Sequence, residues 1–600
     1  MRRLVFLGFL LSACGDSTVS SEPGAQPGPD FGVVEDQGDP EEDMGQQTDV
    51  DLGPARDMGP EDTGTPVDMG PPPPPDICDD LGLTRRVFRT DAGNVFGEVA
   101  GDFTVNEVGG ASWNFRENFT GCESYVFVTY FPPDLDEPIG LGPNATGGAI
   151  FGSPVTEVVE NTPLNSHFFF INDETDAELR SRRLDVIQRR LELAIGELPA
   201  QEQDRQWARF HLVLDRASDI DGSVGAMLRD YLAWRHTPAS FVDLGERGMA
   251  PSPAPYFFGI DRFQRWDAGG SPAQFVGGSA HMRMASFLPL FYDHKAKIDD
   301  DAEALATQVV LLDQPVTERI FVQTVELPDA DTMAGFDTLA FDVAVNCKER
   351  NVFACSEWDR IARIEHCSDE TCESRQEVIR WITPYWRRGD RRWIMDASTL
   401  LGLVQDGGQQ TFRIEMGPGW ERKTERDARM VLRLSNEGKS ERAVGAIRIA
   451  GGGSFNDAYN DREPVPFQVP DDASRVELVS ILSGHGQSAG NNCSEWCDHR
   501  HRYTINQQAL PVIQSAPGIG SASGCGPAAA QGVSPGQFGN WAPQRAYWCP
   551  GLPVDHIRQD ITNLVTLGDE NQFDYTATLG PSGAPGGGNI SLSVYVVWYR

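Results

Sequence analysis

From about residue 305 to the C-terminus the chain breaks into short β-branched and aromatic runs separated by turn residues, a texture suited to an all-β sandwich. Thr307 to Leu312, Phe321 to Leu327, Thr338 to Val345, Ile361 to Glu365 and Gln376 to Ile382 read as strands. Met430 to Leu434, Ala446 to Ile449, Arg475 to Ile481, Arg502 to Asn506, Asp574 to Leu579 and Ile590 to Tyr599 continue the series. No internal repeat relates its two halves. Strands of this kind must bury one face against a second sheet.

Residues 78–300 have another pattern. Phe103 to Asn106, Ser124 to Tyr130, His167 to Ile171, Phe210 to Leu214 and Phe258 to Arg262 are strand-like. Between them, Thr175 to Leu198 carries Leu184, Ile187, Leu191 and Ile195 at helical spacing. Strands alternating with a helix predict an α/β domain. The segment Gly97 to Val105 resembles the entry to a thioredoxin-like domain. The position where such a domain carries its dithiol reads Phe131-Pro132-Pro133-Asp134-Leu135-Asp136, without cysteine. A scaffold without dithiol chemistry is expected.

The N-terminus is of a different nature again. Residues 15–77 hold sixteen Asp or Glu against the single basic Arg56, with Asp-Met-Gly units and the run Pro71 to Pro75. Such a stretch cannot offset its ordering entropy, and it reads as an extended tether. Before it, Arg2-Arg3, an apolar run and Leu11-Ser12-Ala13-Cys14 fit a lipoprotein signal with Cys14 as the lipidated residue. The expected organisation is a signal peptide at 1–13, a disordered tether at 14–77, an α/β domain at 78–300 and β-domains at 301–443 and 444–600. The location expected is the bacterial cell envelope, anchored by lipid at the outer membrane or surface, with plain secretion as the alternative. A net charge of −38 excludes nucleic acid as the natural partner.

Setting Cys14 aside leaves ten cysteines, which in an exported chain predict five disulfides. Proximity pairs Cys78 with Cys122, Cys347 with Cys355, Cys367 with Cys372, Cys493 with Cys497 and Cys525 with Cys549. No pair has the Cys-x2-Cys spacing of a zinc ribbon, and no metal or other cofactor is expected.

Three segments carry the chemistry. They are Cys355-Ser356-Glu357-Trp358-Asp359-Arg360, Cys493-Ser494-Glu495-Trp496-Cys497 and the run from Gly539 to Gly551, with Arg545 and Trp548. Acid beside indole suits carbohydrate: a carboxylate moves protons or binds hydroxyls, and the ring covers an apolar sugar face. With Ile382-Thr383-Pro384-Tyr385-Trp386 and Ser483-Gly484-His485-Gly486, these segments resemble the peptide:N-glycosidase F family over roughly residues 305–600. The resemblance implies two eight-stranded antiparallel jelly rolls side by side. It implies an amidase that releases N-glycans from asparagine of glycoproteins or glycopeptides, acting as a monomer. It supports the pairs Cys347–Cys355, Cys493–Cys497 and Cys525–Cys549.

On this resemblance Asp359 is the water-activating carboxylate and Glu495 the second essential acid. Arg360 and Arg545 flank the cleft, and Trp358, Trp496 and Trp548 wall it. His485 reads as structural rather than catalytic. The family's third acid, two residues before a Trp, is replaced by Pro418 ahead of Trp420, and Glu415 fills that role only through a lengthened loop. The alternative is a cell-surface lipoprotein that binds glycan without cleaving it.

Overall fold

The computed structural model describes residues 77–93, 97–130, 154–235, 257–270, 281–346, 358–385, 391–421, 425–486, 493–515, 519–521, 524–535, 537 and 541–600. The lipobox at Cys14, the acidic tether, the Phe131–Asp136 stretch and the Cys347–Cys355 pair lie outside these residues.

Tyr125 to Val128 and Phe168 to Ile171 are wholly buried apolar runs, as strands covered on both faces must be. They form the centre of a five-stranded sheet. Phe210–Leu212, Ser166–Asn172 and Ser124–Tyr130 run parallel, and Phe257–Ile260 and Trp266–Gly270 add antiparallel strands beyond them. The helix Ala177–Gly196 starts where Asp176 accepts from the Glu178 and Leu179 N–H groups, and it buries Leu184, Ile187, Leu191 and Ile195. These are the four positions its periodicity singles out. A second long helix, His281–Ala302, was not legible in the sequence because Pro289 interrupts the helical pattern.

Eight strands between Thr307 and Ser435 then form two four-stranded antiparallel sheets. One contains Ile320–Asp329, Gly407–Glu415, Ile361–Cys367 and Arg375–Ile382 in that spatial order. The other contains Arg391–Asp396, Thr338–Asn346, Arg426–Ser435 and Thr307–Val316. Phe341, paired with Leu432 and Met395, lies in the core of this first sandwich.

A second sandwich follows from Ala443 to Tyr599. Its inner sheet runs Ala443–Ser454, Asn589–Tyr599, Arg475–His485, His556–Asp560. Its outer sheet runs Val465–Gln468, Glu570–Leu579, His499–Ile505, Gln508–Ala509, with Ile513–Gln514 also paired to His499–Ile505.

The sandwiches share a buried seam. Val479, Ile481, Tyr595 and Val597 of the second belong to the core of the first. This explains why Val476 to Gly484 is buried without alternation: one face packs within its own sandwich and the other on its neighbour. Arg391–Asp396 and Gly407–Glu415 escaped the sequence reading because polar residues break their apolar pattern. Arg392 is held by Asp342, with Nη2 2.6 Å from Oδ2. Among the described residues no helix is long and apolar enough to cross a membrane.

The disulfides Cys78–Cys122, Cys367–Cys372, Cys493–Cys497 and Cys525–Cys549 are formed, as sequence proximity predicts.

Candidate active site

Each acidic motif is fixed by local hydrogen bonds before it meets its partner. Asp359 lies just ahead of the strand Ile361–Cys367. The Thr383 hydroxyl staples this segment: it accepts from the Arg360 N–H at 2.8 Å and donates to the Trp358 carbonyl at 3.0 Å. Two residues on, Tyr385 donates its N–H to Gln537 Oε1 at 2.9 Å. Glu495 sits in a single helical turn, Cys493–Trp496, closed by the Cys493–Cys497 disulfide. The Gly486 N–H donates to its carboxylate. His499 Nε2 donates to the Ser494 carbonyl at 3.0 Å, and Ser494 Oγ donates to the His485 carbonyl at 2.7 Å. Arg545 opens a tight turn that bridges back to Trp548 through Tyr547, a non-glycine residue at φ 67°. That strained position is held by the Tyr547 hydroxyl donating to the His499 carbonyl at 2.7 Å.

The folded chain brings Asp359 of the first sandwich and Glu495 of the second onto one guanidinium. Arg545 Nη2 is 3.2 Å from Asp359 Oδ2, and Arg545 Nε is 3.2 Å from Glu495 Oε1. Arg545 is 1% exposed. Its Nη2 also donates to the Tyr385 hydroxyl at 3.0 Å, and its Nη1 to the Pro543 carbonyl at 2.9 Å. The Tyr385 hydroxyl in turn hydrogen-bonds Asp359. The guanidinium lies over the rings of Trp496 and Trp548 at 4.5 and 4.8 Å. Asp359 Oδ2 is buried and within ion-pair distance of Arg545, without a hydrogen bond to it.

One cation serves two buried acids, and neither is fully compensated. Burial pushes the Asp359 carboxyl above its usual value, against the pull of Arg545 and Tyr385. Burial also pushes Glu495 up to about 7, aided by the Asp359 charge and opposed by Arg545. Near neutral pH the pair can therefore hold one proton and one negative charge, the arrangement an acid–base couple requires.

The remaining predicted residues divide. Trp496 and Trp548 line the guanidinium, and Trp358 is 42% exposed with its ring edge-on to Tyr385 at 6.3 Å. Arg360 lies under the exposed Trp420 ring at 4.9 Å. His485 stacks on Trp548 and hydrogen-bonds Ser483 at 2.7 Å; burial lowers its pKa well below the usual range, as befits a structural imidazole.

Glu415 lies in an ion-pair ladder. Its carboxylate is taken up by Arg413 at 2.8 Å and Arg363 at 3.6 Å, within a ladder that continues through Glu365 and Arg375. The acid that reaches Arg360 is Glu421, one residue after Trp420. It is 5% exposed, 3.2 Å from Arg360 Nε and 3.0 Å from Arg319 Nη1. Sequence reasoning missed Glu421, Arg319 and Tyr385. Tyr385 lay in a segment already singled out, and Glu421 lay beside the Trp used as the landmark.

Part of the chain is similar to known proteins. The family described as Peptide-N-glycosidase F, C terminal, matches residues 454–597. Peptide-N(4)-(N-acetyl-beta-D-glucosaminyl)asparagine amidase F of Elizabethkingia miricola is 27% identical over 235 residues, covering 37% of this chain and 63% of that protein. The chain is related to the peptide-N-glycosidase F family. The match to the relative takes in just under two thirds of its length.

Among solved structures, PNGase F from Flavobacterium meningosepticum, described as a glycosylasparaginase, aligns at TM-score 0.39 and 20% identity, over 49% of this chain and 96% of that one. PNGF-II aligns at TM-score 0.38 and 12% identity, over 51% and 67%. The family match includes Glu495 and Arg545. Asp359 lies outside it, in the first sandwich.

Proposed function

We propose that the chain is an exported glycoamidase that hydrolyses the amide joining an N-linked glycan to asparagine of a glycoprotein or glycopeptide. The observation that carries this reading is the convergence of Asp359 and Glu495 on Arg545, with both carboxyls raised by burial. Asp359, ionised, takes a proton from water as that water attacks the amide carbonyl carbon. Glu495, protonated, gives its proton to the amide nitrogen as the C–N bond breaks. The asparagine leaves as aspartate and the glycan as a glycosylamine. Arg545 and Tyr385 hold the two acids in register. Trp358 and Trp420 are exposed, with Arg360 against the Trp420 ring, and aromatic faces and a cation suit a sugar chain.

The strand orders of the two sandwiches support reading them as paired jelly rolls. Three parallel strands followed by an antiparallel pair support a thioredoxin-like reading of the middle domain. We read Cys14 as a lipid anchor at the bacterial envelope, since multiple acyl chains hold a protein firmly where one does not.

The test is incubation of the full chain with a denatured N-glycopeptide, followed by mass analysis of the peptide. Amide cleavage adds about 1 Da to the peptide, the amide-to-acid exchange expected when water is the nucleophile. A residual N-acetylglucosamine on asparagine contradicts the reading. Retention of glycopeptide without cleavage replaces it with the binding-protein alternative.

A further inference from the structure

The segment that carries Arg545 is built against the middle domain as well as against the two sandwiches. Cys525 and Cys549 close it by a disulfide. Cys525, Ala529, Val533, Trp541, Ala542 and Cys549 belong to the hydrophobic core of the α/β domain, and so does Tyr385. The contact runs through the helix His281–Ala302, which packs on Ser124–Tyr130 of its own sheet, on the 3₁₀ turn Pro527–Gln531 and on Arg391–Asp396 of the first sandwich.

Two glycines allow the approach. A Cβ at Gly526 would stand 2.4 Å from Phe287 Cε2, and one at Gly532 would stand 2.7 Å from His294 Nε2. The His294 ring hydrogen-bonds the Ala530 carbonyl, and the buried Phe287 side chain is 4% exposed. The helix end is fixed as well. Arg433 donates to the Ala302 carbonyl at 2.8 Å, and Arg392 Nη1 is 3.5 Å from Asp299.

We propose that the helix His281–Ala302 is a positioning element of the catalytic centre. Through Phe287 and His294 it clamps the Gly526–Gly532 turn and thereby sets the place of Arg545 and Tyr385. The middle domain then serves as a wall of the site rather than as a detachable module. A fragment beginning at residue 300 would lack nearly all of this helix. The proposal rests on the amidase reading only for its kinetic readout.

The experiment uses the full chain and Gly526→Ala. Gly526 has φ −59° and ψ −55°, so alanine suits its backbone, and the three atoms nearest its methyl all belong to the Phe287 ring. Misplacement of a positioned group costs rate steeply, and kcat should fall about tenfold with KM changed by less than about twofold. The pH at which activity falls should move upward as Arg545 recedes from Glu495. Gly526→Ala with Phe287→Leu, which gives the new methyl room, should recover most of the loss.

Hydrogen exchange at the amides of 541–549 should quicken in Gly526→Ala and return in the double variant. This readout needs no substrate. If the wild-type chain cleaves nothing while exchange behaves as stated, the amidase reading falls and the clamp stands. If Gly526→Ala lowers the melting temperature with kcat, pH profile and exchange unchanged, the helix gives stability alone and the proposal is overturned. Failure of Phe287→Leu to rescue overturns it as well.

Discussion

Two buried acid–arginine clusters lie in the seam between the sandwiches and behave oppositely. Glu377 and Arg380 form one, at 3% and 1% exposure. Arg380 grips Glu377 with two bonds, Nε to Oε1 at 2.7 Å and Nη2 to Oε2 at 2.6 Å. Ser593 adds a third donor to Glu377 at 2.8 Å, and Arg380 Nη1 is satisfied by Ser483 and the Ser591 carbonyl. Burial alone would raise the Glu377 carboxyl, but the Arg380 charge and these hydrogen bonds outweigh it and leave it below the ordinary value.

In the other cluster a single arginine is shared between Asp359 and Glu495 at 3.2 Å each, and both carboxyls are raised. One cation per acid makes a structural rivet. One cation for two acids leaves protons available near neutral pH, and that shortfall is where chemistry can be done.

The sharpest test of this contrast is Asp359→Asn. Turnover of a glycopeptide should fall about a thousandfold, within the range for loss of a positioned base, while the melting temperature holds or rises. A variant that folds and keeps near wild-type rate would leave the shared-arginine cluster without its role.

Glu377→Gln should do the reverse. Removing one partner of a buried pair strands the Arg380 charge, and stability should drop by about 3 kcal/mol in denaturant unfolding. The pH profile of the surviving activity should be unchanged. A shift in that profile would mean the two clusters are electrically one.

Next in size is the pH dependence of folding. The Glu495 carboxyl lies at about 7 in the folded protein against an ordinary 4.5. It therefore keeps its proton in the fold where the unfolded chain has released it. Its stabilising contribution is full below about 4.5 and is lost as pH rises through about 7. Between pH 4.5 and 8 the wild type should lose about 3 kcal/mol relative to Glu495→Gln, measured by urea midpoints. Parallel curves for the two proteins would place Glu495 with the rivets.

Glu415→Ala should be the smallest effect. Its ladder with Arg413 and Arg363 is partly solvated, and such pairs contribute about 1 kcal/mol or less. Glycopeptide turnover should stay within about twofold of wild type, as for a surface change remote from the reacting atoms. A large loss would restore Glu415 to the site and displace Glu421.

Much of the architecture was written in local patterns. The periodicity of Leu184, Ile187, Leu191 and Ile195 is a property of one helix and needs no neighbour. Strand alternation likewise marked most of both sandwiches, because a half-buried strand repeats every two residues. Asp359, Glu495 and Arg545 were singled out in another way: each sits in a short motif that resembles the peptide:N-glycosidase F family.

Where a long-range partner decided the outcome, the sequence was silent. Pro289 hid the helix that walls the Arg545 segment, and its place became clear only through Phe287 against Gly526. Glu421 and Glu415 are six residues apart, and nothing local tells which one meets Arg360. The register of Arg363 opposite Glu415 directs one acid into the ladder, while the turn at Trp420 leaves the other between Arg360 and Arg319. By itself, then, the sequence determined the elements and the chemical kinds of side chain. Which acid shares which arginine was decided only by the tertiary structure, because burial and counter-charge belong to the packed seam and not to any segment of the chain.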